Sequence, residues 1–470
     1  MLRVRRRAAV LWLLLFGVYA ATLGLRAFDG SQYAGDEPRQ LLVARSLSRG
    51  GGINVFDEYR QNAYRGFYSH ELRTRGTADR AHQTLYEPTG PGLPLLIAPA
   101  YRFGGPHAAE LLLAALGALA VVLAYLIALR VAPDPWALGA TLAVGLSPPL
   151  LAYGTAIYPD LPAGAVLAGA ALLALTAADR PRRPPVIGCF ALLALLPWLG
   201  PQYVVAGLAI GVYAVARLRI QRRGLLALVG TEIFGFSGAL YIAINEGLYG
   251  GLTPLSGQPA GVSHTGASSL GDYAERAARL AGLLVDRDFG LLRWAPVLAL
   301  VLVGAWLLWR GHRERLAQAL PGYRAIAAAA GLCLAVVGAQ YLVATFLAPT
   351  MRGFWFPGRH VVAVLPLAIP LVALGLRHLP RTGLALALVG MAGSVWLYIA
   401  VRVGHAGLVA DRPEASLGPV VRVLPRFDGS TYSYAVAVAA GLGLLALAWR
   451  EDRQWRQLAA LGYPAAARRG

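Results

Sequence analysis

Long apolar runs separated by short arginine-bearing connectors dominate the chain, and three longer polar stretches interrupt them. A helix needs about 20 apolar residues to cross a bilayer. Runs of that kind fall near 8–25, 107–129, 136–152, 160–178, 186–199, 203–216, 225–244, 290–309, 325–346, 360–376, 383–401 and 433–449. They predict an all-α polytopic protein of about twelve spans, with the pair flanking Pro197-Trp198 the shortest. The first run follows the basic start MLRVRRR, and its eighteen apolar residues exceed the roughly 7–15 of a signal-peptide core. It therefore reads as an uncleaved span.

The arginines orient these spans. RVRRR (3–7), RPRR (180–183), RLRIQRR (217–223), RGHRER (310–315), RHLPR (377–381) and REDRQWR (450–456) fall in every second connector. The short loops near 153–159 and 200–202 contain none. Under the positive-inside rule, both termini are cytoplasmic and the long segments 26–106, 245–289 and 402–432 are extracytoplasmic. Residues 1–450 then form one transmembrane domain that includes the first outer loop, 26–106, and 451–470 form a short basic cytoplasmic tail. Inside that loop, EPRQLLVARSL (37–47) keeps Leu41, Leu42, Ala44 and Leu47 largely on one side at helical spacing. This predicts a helix lying in the interface plane.

Composition agrees. The chain of 470 residues is 57% hydrophobic with a mean hydropathy of +0.54, and its 14% charged residues fall well below the roughly 25% of a soluble domain. All 43 basic residues are arginine and the net charge is +19, a pattern that fits GC-rich coding and a bacterial inner (plasma) membrane. A nucleic-acid partner would need a basic, water-facing domain, and the sequence has none. Cys189 and Cys333 lie in apolar runs, so no disulfide framework follows. There is no P-loop, GxGxxG, heptad or internal repeat. Any chemistry belongs to the outer membrane face.

Four stretches carry candidate chemistry. In GDEPRQ, Asp36, Glu37 and Pro38 make an ordinary helix start, with Asp36 at the N-cap. A carboxylate at a helix N-terminus also stays ionised and can act as a general base, so the two roles are compatible. Asp160 in AIYPDLPAG repeats the arrangement on the same face. Glu87 in LYEPTGPG opens a rigid proline–glycine loop, where it could shape the turn or touch a cation or a substrate hydroxyl. In TMRGFWFPGRHVV, Arg352, Arg359 and His360 precede a span. They suit either interfacial anchoring or an anion held by Arg359 at a helix N-terminus. Arg293 in DFGLLRW is a further anion-binding candidate, and His70 and His82 have no metal-ligand spacing.

GDEPRQLLVARSL, LYEPTGPGLPLL, YPDLPAG and PGRHVVAVLPL, taken with the span pattern, resemble the GT-C membrane glycosyltransferases. The nearest in pattern are the bacterial relatives of protein O-mannosyltransferases and aminoarabinose transferases. The resemblance implies a helical bundle with a large, partly helical first extracytoplasmic loop. It also implies transfer of a hexosyl or pentosyl group, with inversion, from a polyprenyl-phosphate sugar to a glycan, lipid or protein acceptor. It places Asp36 as the catalytic acidic residue with Glu37 as its neighbour, and Glu87, Asp160, Arg359, Arg293 and Arg352 as substrate-binding candidates. Where the aminoarabinose transferases carry a phosphate-contacting lysine after the glutamate, this chain has Thr89, so an arginine such as Arg359 must supply the charge.

Physical chemistry points to the same donor class. Nucleotide sugars are cytoplasmic and the candidate acids face outward, so the donor must cross on a lipid. Its departing phosphate gains negative charge, which an arginine or an oxygen-ligated divalent cation (Mg or Mn) can stabilise. Two other classes compete on sequence alone. A lipid-glycan flippase would place ionisable groups at mid-membrane in repeated halves. An O-antigen-type polymerase or ligase would rest on arginines rather than on Asp36-Glu37.

Overall fold

The computed structural model describes residues 2–409 except 29, 259–266, 268, 314–321 and 405, together with 427, 435, 438, 439, 442, 449, 450 and 453. The described residues form helices and two isolated bridges, with no strand among them. Six helices are long and apolar enough to cross a membrane: Gly92–Ala128, Asp160–Asp179, Pro201–Ile220, Gly224–Gly257, Tyr323–Leu347 and Pro380–Arg402. Shorter apolar helices at Trp136–Gly145, Arg183–Leu199, Pro296–Gly311 and Leu365–His378, and the N-terminal helix Leu2–Ala20, match five more expected spans. The expected span at 433–449 and the tail 451–470 lie for the most part outside the described residues. The protein is a multi-pass membrane protein.

Several expected spans are broken. The run 136–152 ends its first helix at Gly145 and restarts at Pro148, because Pro148-Pro149 lack the N–H groups that would continue it. The run 186–199 likewise divides ahead of Pro197. A third helix starts earlier than expected, at Gly92 rather than near 107, and bends at Gly104 and Gly105, whose dihedrals are non-helical. The first outer loop therefore closes at about residue 91.

The bundle packs around Asp160–Asp179, whose Gly and Ala residues let neighbouring backbones approach closely. Its neighbours include Gly92–Ala128, Arg183–Leu193 and Val204–Ile220. Large apolar side chains on the outer helices, such as Val212, Leu225 and Phe236, point away from the protein. Such a surface suits lipid, which replaces water as solvent there. At one end of the bundle, Arg7 pairs with Asp134 at 2.8 Å and Arg130 with Asp179 at 2.7 Å.

At the other end sits the first outer loop, partly helical as the sequence implied. Its helix Glu37–Ser48 departs from the expected interfacial placement. Leu41 and Ala44 pack with Leu93, Ile97 and Leu113. Leu42 and Val43 pack on the other side with Val55, Tyr64, Leu72 and Leu85. Periodicity identified an apolar face; the loop itself supplies a second partner that buries the rest of the helix.

Candidate active site

The turn Tyr33–Asp36 sets the site. Gly35 has φ +58, and a Cβ there would stand 2.7 Å from the Tyr158 hydroxyl, so only glycine lets the turn form under that ring. Tyr158 Oη donates to the Ala34 carbonyl at 2.9 Å. Glu37 is buried, and its two carboxylate oxygens accept the backbone N–H groups of Ala34 and Ile157, each at 2.8 Å. It clamps the first outer loop onto the 153–159 loop. Burial pushes its carboxyl up to about 7 against those two hydrogen bonds, with help from nearby Glu110.

Asp36 occupies the N-cap position but makes no side-chain capping bond. Its oxygens go to arginines instead. Oδ1 accepts from Arg75 Nη1 at 2.6 Å and lies 3.9 Å from Arg39, while Oδ2 accepts from Arg359 Nη2 at 3.3 Å. Burial alone would raise this carboxyl, but Arg359, Arg75 and Arg39 outweigh it and hold it below its ordinary 3.8. Arg359 also reaches Asp160, with Nε 4.0 Å from Oδ2. Asp160 Oδ1 accepts from the Tyr203 hydroxyl at 2.8 Å, and Oδ2 is buried without a hydrogen-bond partner. The Arg359 guanidinium lies 4.1 Å from the ring centre of Tyr158 and 4.8 Å from that of Trp355. It is stacked, paired and mostly buried, not reaching outward to the headgroups as an anchoring arginine would.

Glu87 is buried one layer behind. It accepts from the Tyr59 hydroxyl at 2.5 Å and from the Arg75 backbone N–H at 3.4 Å, and it lies 3.7 Å from Arg39 Nε. Burial raises its carboxyl, partly offset by the Tyr59 hydrogen bond and Arg39. It orders the arginines that face Asp36 and does not itself line the opening.

Beside Asp36 and Arg359 is a cavity of about 160 Å³. The first outer loop supplies Gln40, Arg75 and Thr89; the 197–202 loop supplies Trp198 and Gln202; Tyr241, Pro254 and Gln258 complete it. Apart from Tyr241, which lies within the helix Gly224–Tyr249, these come from helix ends and loops on the Asp36 side of the bundle. Sequence reasoning missed Arg75, Trp198 and Tyr241. Arg75 sits in HELRTRGTADR, where no periodicity marks it, and the other two reach the cavity only through helix packing.

Two expected residues lie elsewhere. Arg352 Nη2 pairs with the buried Asp286 at 3.1 Å. Arg293 donates to the Arg287 carbonyl and stacks on Trp294, 4.8 Å from its ring centre. Neither lines the cavity. The carboxylates of Asp36 and Asp160 face arginines, and no three His, Cys, Asp or Glu side chains converge among the described residues.

Comparison with solved structures identifies the architecture. ArnT from Cupriavidus metallidurans in the apo state aligns over 94% of this chain and 71% of its own, at 18% identity and a TM-score of 0.51. The same protein bound to undecaprenyl phosphate aligns over 97% and 72%, at 17% identity and a TM-score of 0.47. The oligosaccharyltransferase AglB from Archaeoglobus fulgidus, in complex with an inhibitory peptide and a dolichol-phosphate, aligns over 87% and 57%, at 12% identity and a TM-score of 0.47. No protein-family model and no curated protein sequence matches the chain. The first of these alignments shows that the chain shares the fold of ArnT, a multi-span helical bundle as the sequence resemblance implied.

Proposed function

We propose that this GT-C-like bundle is a membrane glycosyltransferase that moves a sugar from a polyprenyl-phosphate donor to an acceptor hydroxyl at the extracytoplasmic face. One observation carries the reading: Arg359, stacked between Tyr158 and Trp355, bridges Asp36 and Asp160 at the edge of a cavity. A guanidinium so held can grip two oxygens of a phosphate, and Arg75 stands ready on the other oxygen of Asp36.

The chemistry follows from that competition. An incoming donor phosphate draws Arg359 and Arg75 towards itself and loosens their hold on Asp36. The freed carboxylate regains basicity and takes the proton of the acceptor hydroxyl. The acceptor oxygen attacks the anomeric carbon as the bond from that carbon to the phosphate oxygen breaks. The electron pair leaves with the lipid phosphate, whose added charge the two arginines stabilise. A single displacement inverts the anomeric carbon. With the pair intact, the low basicity of Asp36 protects the site from idle proton transfer.

The test is transfer assayed with purified protein and a series of polyprenyl-phosphate sugars. Asp36→Asn should lower turnover by about 10²–10⁴-fold, the range of a lost general base, while the protein stays monodisperse. Unchanged turnover in that variant would end the assignment of Asp36 as the base.

A further inference from the structure

Deeper in the cavity the wall changes character. Gln40 stands one helical turn from Asp36 on the same face of Glu37–Ser48, with its backbone N–H bonded to the Asp36 carbonyl at 3.1 Å. Its Nε2 donates to the Thr89 carbonyl at 3.3 Å, which leaves Oε1 buried and unpartnered. The Thr89 hydroxyl and the Tyr241 hydroxyl are also buried without a hydrogen-bond partner. All three residues line the same cavity, and Gln40 and Tyr241 are 3% and 5% exposed. Buried polar atoms of native proteins are nearly always paired, and these three residues of one cavity have an acceptor and two hydroxyls to offer a ligand that bears hydroxyls.

Trp198 supplies the apolar part. Its Nε1 donates to Ser237 Oγ at 3.2 Å, and its ring meets Tyr241 edge-on, with centroids 5.4 Å apart and planes at 89°. The indole is thus fixed on two sides, and Trp198 is one of the residues lining the cavity. An immobile aromatic surface beside hydroxyl-seeking groups suits a sugar ring, whose C–H face is apolar and whose edge is polar.

Charge narrows the class. The ionised lining groups are one carboxylate, Asp36, and two guanidinium groups, Arg75 and Arg359. An ammonium substituent would pair with Asp36, the one carboxylate of the lining, and compete with the acceptor hydroxyl for it. A carboxylate substituent would compete with the phosphate for the same arginines. We propose that the Gln40–Thr89–Tyr241 wall, with Trp198, is the subsite for the donor's sugar ring, and that it takes an uncharged, hydroxyl-rich sugar. This rests on the glycosyltransferase reading and adds the sugar class to it.

Equilibrium binding to the full-length protein in detergent separates the alternatives. The probes are bare polyprenyl phosphate, polyprenyl-phosphate glucose and polyprenyl-phosphate glucosamine. The glucose form should bind several-fold more tightly than the bare lipid phosphate and more tightly than the glucosamine form. Tyr241→Phe and Thr89→Val should each remove about 3- to 10-fold of that advantage, the yield of one neutral hydrogen bond. Affinity for bare polyprenyl phosphate should not change, which also certifies that the variants are folded. Glucosamine binding best, or an undiminished glucose advantage in both variants, overturns the sugar assignment alone. So does a raised acceptor KM with donor binding intact, because the wall would then serve the acceptor. Failure of wild-type protein to bind bare polyprenyl phosphate overturns the donor class itself, and the sugar subsite with it.

Discussion

Arg359 and Asp36 lie 323 residues apart in sequence and meet at 3.3 Å. That contact joins the first outer loop to the start of a late helix and makes the pairing a product of the whole bundle. Glu87 and Glu37 serve the same pairing from behind, one by ordering Arg39 and Arg75 and the other by fixing the turn that presents Asp36.

A close approach one turn away sets its geometry. Gly164 follows Asp160 by four residues, and Ala363 follows Arg359 by four. A Cβ at Gly164 would stand 2.8 Å from the Ala363 carbonyl oxygen. Gly164→Ala must therefore push the two segments apart. We expect a loss of about 1–3 kcal/mol in stability, as for overpacking, together with a larger fall in turnover than in donor affinity. A thermal melt in detergent and a donor titration read the two effects, and a variant with wild-type turnover would show that the Arg359–Asp160 spacing is uncritical.

Stability should depend on pH through Glu37. Burial raises its carboxyl from 4.5 to about 7, so the folded protein holds this proton more tightly than the unfolded chain. The contribution is fully present below about 4.5 and is lost as pH rises through 7. It is on the order of 3 kcal/mol at one pH unit per 1.36 kcal/mol. Asp36 acts in the opposite sense: with its folded value held below 3.8, its contribution is present above 3.8 and disappears only in stronger acid. The melting temperature should rise as pH is lowered from 8 to 5, and Glu37→Gln should flatten that slope. A slope unaltered in Glu37→Gln would assign it to another group.

Orientation has a direct check. Positions near 60, 265 and 415 fall in segments that the arginine alternation places outside. Of these only position 60 is among the described residues, where the Arg60 side chain is 60% exposed. A cysteine introduced at each should react with an impermeant thiol reagent in intact cells, whereas Cys189 and Cys333 are buried and should stay silent. Protection of position 60 would reverse the topology and remove the case for a lipid-borne donor.

Legibility in the sequence followed the range of each interaction. Asp36, Asp160 and Arg359 stand out because each sits at a helix start on the side without short arginine-bearing loops, and local pattern records both features. Arg75 lacks such a signal, since only the folded loop brings it to Asp36, whereas Arg39 lies three residues on at helical spacing. The capping role suggested for Asp36 gave way because three guanidinium groups outbid backbone N–H groups for a buried carboxylate. Arg352 looked equivalent to Arg359 in sequence, seven residues away, but the buried Asp286 claims it. Likewise, periodicity in EPRQLLVARSL showed an apolar face and could not show that residues 55–85 would cover the other.

The remaining prediction concerns Arg359 itself. Its guanidinium contacts Asp36 through Nη2 and approaches Asp160 through Nε, and its plane stacks against Tyr158. A lysine keeps the charge but offers a single compact ammonium, which can neither divide itself between two carboxylates in that fork nor stack in the same way. Arg359→Lys should therefore weaken donor binding and slow leaving-group departure while the fold persists. Arg359→Ala should do worse, and it should also lower stability by about 3–5 kcal/mol, because it leaves the buried Asp160 without its cationic partner. Titrating a polyprenyl-phosphate sugar against the three proteins, with a melt of each, separates these effects. The donor reading requires that Lys lose affinity out of proportion to any loss of stability. Equal donor dependence in the Arg and Lys proteins would reduce Arg359 to a structural bridge, and the phosphate contact would then fall to Arg75, the other guanidinium lining the cavity.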